Sequence, residues 1–190
     1  MRLFVPTSLL CVVDLQERLL AAMADGDRIV ASTDRLAAAA GLLGVRAVLT
    51  EQYPQGLGST PPALAAKLPP AISKLAFSCC GSETFTQALP ADIESVVLCG
   101  VETHVCIAQT ALDLLARGLV VMIAVDAVTA RHGLDHEIAL RRLESSGAIL
   151  TTTEAVIFEW CRTAEHPQFQ AVRKLVLTPI AAFKTPAVSR

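Results

Sequence analysis

Short apolar runs alternate with stretches of helical periodicity along this chain, and no other feature restricts its fold as strongly. Residues 8–13, 45–49, 72–77, 95–98, 119–125 and 148–152 read as strands. Residues 28–43, 84–89, 104–117, 134–146 and 153–160 read as helices. Ile29, Leu36, Ala40 and Leu43 line one face of the first helix, and Val105, Ala108, Leu112 and Leu115 one face of the third. Gly44, Gly118 and Gly147 stand where helices stop. Residues 53–62 (YPQGLGSTPP) are dense in Pro and Gly and read as loop. The stretch from Thr178 onward has no periodicity. Strands joined by helices of about 10–15 residues imply right-handed crossovers and a parallel sheet. Strands that are apolar on both faces imply a sheet covered on both sides. The predicted fold class is α/β, a three-layer doubly wound domain, with residues 1–190 forming one domain.

Composition narrows the function classes. Hydrophobic residues make up 53% of the chain and charged residues 18%, enough apolar material for a full core. The formal charge of -2 and the 4% aromatic content argue against a nucleic-acid footprint. Despite a mean hydropathy of +0.50, no apolar run approaches the roughly 18 residues of a membrane span. No signal peptide is readable before Asp14. The six cysteines, at 11, 79, 80, 99, 106 and 161, lack zinc spacing and read as free thiols in a reducing, cytoplasmic setting. The low charge content also suits large subunit contacts, so a homo-oligomer is expected.

In doubly wound folds, ligands sit at the carboxyl ends of the strands, where strand order reverses. Three residues stand out there. Asp14 ends the first strand, Lys74 lies at the third, and Cys106 follows the fourth within Gly100-Val101-Glu102-Thr103-His104-Val105-Cys106. A charge beside a buried strand is costly unless paired, and Asp14 and Lys74 are of opposite sign. Cys106 falls in the first turn of a helix, where free N–H groups and the helix dipole favour an anion. A carboxylate to take its proton and a cation nearby would complete a nucleophile. Singly, each residue also fits a structural role: a capping Asp, an edge Lys, a buried Cys.

Three segments resemble the isochorismatase-like cysteine hydrolases, a superfamily that includes nicotinamidases and N-carbamoyl amide hydrolases. They are Val12-Val13-Asp14-Leu15-Gln16, then Ile72-Ser73-Lys74-Leu75-Ala76-Phe77, then the block from Gly100 to Cys106. The resemblance runs over residues 8–160. It implies a six-stranded parallel sheet in the order 3-2-1-4-5-6, which sets Asp14 and Cys106 on either side of one crevice. It implies a catalytic triad of Asp14, Lys74 and Cys106. It implies an oxyanion hole from the backbone N–H groups of Glu102 and Cys106, and a cis peptide at Val101-Glu102. The implied reaction is hydrolysis of an amide or related bond in a small molecule through a thioester.

Two departures refine this expectation. Nicotinamidases carry a metal-binding Asp and His after the second strand, where this chain has Gln52 and Pro54. No metal and no cofactor are therefore expected, and nicotinamide becomes a weaker substrate. Isochorismatases themselves lack the nucleophile that Cys106 supplies. Gln16, Tyr53, Leu57, Phe77 and Thr103 are candidate substrate contacts, though Gln16 equally starts a helix and the loop residues equally pack the loop. His104 lies two residues from Cys106, so the pair cannot face each other on a helix. His132, His136 and His166 read as surface histidines, and Cys79-Cys80 as thiols rather than a strained bridge. A non-catalytic reading also stands, in which the fold serves as a binding or assembly module with the triad idle.

Overall fold

The computed structural model describes residues 2–180. Its sheet has six parallel strands in the order β3-β2-β1-β4-β5-β6. They are β1 (Ser8–Val13), β2 (Arg46–Gln52), β3 (Ile72–Lys74), β4 (Ser95–Val101), β5 (Val120–Thr129) and β6 (Ile149–Thr151). The expected fold class and strand order are both present.

Period-two alternation divides the core between two layers. Leu10 and Val12 of β1, with Val97, Cys99 and Val101 of β4, face one layer. Leu9, Cys11 and Val13, with Val96 and Leu98, face the other. Every residue of β1 and β4 is buried, so these central strands read as continuous apolar runs. Two single turns, α1 (Glu17–Leu20) and α3 (Pro54–Leu57), pack together beside the end of β1. The long α2 (Gly26–Leu43) packs on the first layer and stops at Gly44, whose φ of 75° is left-handed. The turn α4 (Pro62–Ala65) touches it. On the second layer lie α5 (Glu83–Ala88), α6 (Ala108–Ala116) and α7 (Gly133–Ser145). Back on the first layer, α8 (Thr153–Cys161) and α9 (Phe169–Leu177) pack against α2.

Several boundaries differ from the sequence reading, each for a local reason. The 53–62 loop contains the single turns α3 and the start of α4, both opened by proline, which suits a first helical position. β3 stops at Lys74 rather than Phe77, because the Lys74 ammonium gathers the carbonyls of Ala76 and Phe77 back onto itself. β4 continues through Cys99 and Gly100, and Gly100 pairs with Val13 of β1. The segment expected to open a helix at His104 is a π turn over Thr103–Ile107, which α6 continues. The sequence reading assigned nothing to α9. The expected aperiodic tail lies, beyond Ile180, outside the described residues. Among the described residues no helix is long and apolar enough to cross a membrane.

Candidate active site

β1 and β4 are neighbours, while the helices that follow them pack on opposite faces of the sheet. Their carboxyl ends therefore flank an open switch point. Asp14 leaves β1 at a φ of 52° with its N–H donated to the Thr50 carbonyl, 3.1 Å away. Lys74 Nζ donates to Asp14 Oδ2 at 2.6 Å, and neither side chain is exposed. The ammonium also donates to Gln52 Oε1 at 2.7 Å and meets the carbonyls of Phe77 at 3.1 Å and Ala76 at 3.3 Å. An ammonium has three protons, so four acceptors saturate it.

Cys106 sits in the π turn with 6% of its surface exposed. Its thiol lies close enough to the Asp14 carboxylate and the Lys74 ammonium to feel the charge of both. The structure thus brings together Asp14, Lys74 and Cys106, each contributed by a different strand end. Burial first, then the Asp14 charge, push the Cys106 thiol well above its ordinary range, with Lys74 pulling the other way. Burial works against the Lys74 charge. Asp14 and then Cys106 outweigh it and hold the ammonium above its ordinary range. These effects favour the thiol at Cys106 and the ammonium at Lys74, rather than the stabilised thiolate expected from the helix dipole alone. Burial and the adjacent carboxylate are the larger effects.

The peptide between Val101 and Glu102 is cis. The Glu102 carboxylate turns to Arg131, accepting from its backbone N–H at 3.0 Å and its Nε at 3.1 Å. Thr103 is fully buried, and its hydroxyl lies 2.9 Å from His136 Nδ1. Gln16 is also fully buried. Its Nε2 donates to the carbonyls of Gln52 at 2.9 Å and Gly58 at 2.7 Å, and its Oε1 accepts from Gln52 N at 2.7 Å. It stands just before α1, and its side chain ties the 53–58 loop to β2 instead of capping the helix, so its polar atoms are already committed.

Tyr53 and Phe77 are half exposed, Leu57 is partly buried, and Leu75 is 75% exposed. The Tyr53 ring lies over Gly56, where an added Cβ would come within 2.2 Å of it. Tyr53 N donates to the Lys74 carbonyl at 2.9 Å and Phe77 O accepts from Lys74 Nζ, so both residues adjoin the triad.

Sequence reasoning missed three contributors. Thr50 donates its hydroxyl to Asp14 Oδ1 at 2.8 Å. Cys79 lies 3.7 Å from that hydroxyl, with its backbone N–H on Thr110 Oγ1 at 2.9 Å. His136 is no ordinary surface histidine, because it is half buried against the π turn that carries Cys106. The only trace of Thr50 in the sequence is its place directly after the apolar run Ala47-Val48-Leu49, which does not reveal its partner. Among the described residues no group of three or more His, Cys, Asp or Glu side chains gathers as metal ligands.

Comparison with known proteins gives consistent matches. The isochorismatase domain matches residues 8–155. Isochorismatase domain-containing protein 2 of Bos taurus is 46% identical over 173 residues, covering 91% of this chain and 84% of its own. A solved structure described as the MAR1 ribonuclease of Caenorhabditis elegans superposes with a TM-score of 0.93 at 38% identity, covering all of both chains. The YcaC gene product of Escherichia coli, described as an octameric hydrolase of unknown specificity, superposes with a TM-score of 0.82 at 25% identity, covering 93% of this chain and 95% of its own.

Proposed function

Because the chain belongs to the isochorismatase family, we propose that it is a cysteine hydrolase acting on an amide or related C–N or ester bond of a small molecule. The observation that carries this reading is the buried Asp14–Lys74 ion pair, with the buried Cys106 thiol within the reach of its charges. Asp14 accepts the Cys106 proton as the sulfur attacks the carbonyl carbon. The backbone N–H groups of Glu102 and Cys106 receive the developing oxyanion. The C–N bond breaks, and the leaving amine takes the proton from Asp14. Water then adds to the thioester, giving a proton to Asp14, and the acid departs as Cys106 regains it. Lys74 pairs with the Asp14 carboxylate whenever the proton has moved on. A thiol held neutral at rest suits this scheme, since the proton leaves only as the new bond forms.

Tyr53 and Phe77 supply apolar surface beside the triad, which supports an uncharged substrate. The name of the Caenorhabditis elegans neighbour raises RNA as a second substrate class. Against it, Lys74, the cation of the triad, is saturated by internal acceptors and does not stand ready for a phosphate. The octameric neighbour supports a homo-oligomer, and six free thiols support a reducing, cytoplasmic setting. The chain is read as one domain.

The test is a panel of small aliphatic and aryl amides, N-carbamoyl compounds and esters, with a single-stranded RNA alongside. Wild type is compared with Cys106→Ser and Asp14→Asn. The reading requires turnover of at least one small carbonyl compound and its loss in both variants. RNA cleavage that survives Cys106→Ser, with no small-molecule turnover, overturns it. Labelling-inert Cys106 with no turnover at all leaves the assembly-module reading in its place.

A further inference from the structure

Asp14 must present a free lone pair to Cys106 while its other lone pairs are occupied. Lys74 takes Oδ2 at 2.6 Å. A single ion pair to a long, flexible side chain leaves the carboxylate free to turn about its own bond. What holds the other oxygen is the hydroxyl of Thr50, donated to Oδ1 at 2.8 Å. Thr50 sits opposite Val13 in the β1–β2 register, and its carbonyl accepts the Asp14 N–H at 3.1 Å. One residue thus grips Asp14 by backbone and by side chain. Thr50 is fully buried, and its β-branched side chain has few rotamers, so the hydroxyl is aimed rather than roaming.

A hydroxyl has one proton. Once that proton goes to Asp14, the oxygen can only accept from Cys79, whose sulfur is 3.7 Å away. Cys79 is itself fixed by its backbone bond to Thr110 on α6. Valine would fill the same volume with no polar group to satisfy, so the buried hydroxyl carries a desolvation cost that only its hydrogen bonds offset.

We infer that Thr50 is a positioning residue for the base, its hydroxyl fixing the Asp14 carboxylate toward Cys106 and Cys79 fixing that hydroxyl in turn. This rests on the reading of Asp14 as the base that serves Cys106. The ionisable groups around Asp14 are Lys74 from β3, Cys106 from the π turn, Cys79 from the turn after β3, and Cys11 from β1. A hydroxyl that donates to a carboxylate favours its charged form.

The experiment is the rate of acrylamide addition to Cys106 against pH, read by peptide mass spectrometry. It compares wild type, Thr50→Val, Thr50→Ser, Cys79→Ala and Asp14→Asn, with circular dichroism to establish folding. Thr50→Val is expected to slow addition at neutral pH by about tenfold, as for one lost hydrogen bond to a charged group. It is also expected to move the acid-side midpoint of the profile upward. Thr50→Ser restores the wild-type midpoint. Cys79→Ala shifts the midpoint in the same direction as Thr50→Val, by less. A wild-type rate and midpoint in Thr50→Val overturns the inference. So does a Thr50→Ser profile that falls as far as that of Thr50→Val. If Thr50→Val does not fold, an unshifted midpoint in Cys79→Ala overturns it. Asp14→Asn separates the two levels. A wild-type rate there removes the base reading itself, whereas a slow Asp14→Asn beside a normal Thr50→Val removes only the role of Thr50.

Discussion

Lys74 and Asp14 are fully buried, and each is the other's counter-charge. Removing one partner of such a pair leaves an uncompensated charge in the interior. Lys74→Ala is therefore expected to lower unfolding free energy by about 3–5 kcal/mol in urea titrations. Combining it with Asp14→Asn should recover much of that loss, because the stranded charge is gone. A Lys74→Ala protein as stable as wild type would mean that the pair is solvated. His136 makes a second, pH-dependent prediction. Burial first, then Arg28, lower its proton affinity from the ordinary value of 6.5, with Asp25 opposing. The unfolded chain thus takes up a proton before the native one does, and stability falls as pH drops below about 6.5. Above that value the histidine is neutral in both states and contributes no slope. His136→Gln should flatten the fall in melting temperature between about pH 6.5 and pH 5. An unchanged slope would place the acid sensitivity elsewhere.

The β1–β4 pairing sets the site, and it depends on one glycine. Gly100 has a φ of 119°, and a Cβ there would lie 2.0 Å from the Val13 carbonyl oxygen. Backbone cannot retreat as the tip of a side chain can. Gly100→Ala should lose more than about 4 kcal/mol or accumulate as insoluble protein, a size reserved for severe core defects. A soluble variant with wild-type melting would contradict the tight approach of the two strands. The same strands explain how far the sequence was legible. Central parallel strands are apolar throughout, so β1 and β4 were readable from composition, and Asp14 from the charge that interrupts the first. Gly100 looked like a strand terminator because a sequence does not reveal which neighbour will press against a glycine. The π turn was invisible because its residues share helical periodicity with α6. Phe169, Val172 and Val176 do carry the helical spacing of α9, and Val172 is fully buried. That signal was present but short. Thr50 and Cys79 could not be assigned, because their roles arise only when β1, β2 and the turn after β3 converge.

At the scale of the whole molecule, the proposed homo-oligomer predicts a solution mass that is a multiple of the 20.1 kDa chain, measured by light scattering after size exclusion. A mass of one chain across the micromolar range would remove the assembly. The six cysteines of the chain allow the central claim, that Asp14 serves Cys106 as its base, to be tested without knowing a substrate. Five of the six, Cys11, Cys79, Cys99, Cys161 and Cys106 itself, are buried among core residues, and burial raises the Cys99 thiol to about 12. Cys80 is the partly exposed reference thiol. The direct measurement is acrylamide addition to all six at once, resolved by peptide mass spectrometry from pH 5 to pH 9, in wild type and Asp14→Asn. Cys106 should react fastest despite its burial. Its rate should stay level from about pH 6 to 8.5, because its proton goes to a nearby carboxylate rather than to solvent. Asp14→Asn should slow it by about 100-fold, the scale of a lost general base. A Cys106 rate that climbs with pH like that of Cys80, unchanged in Asp14→Asn, would contradict the account.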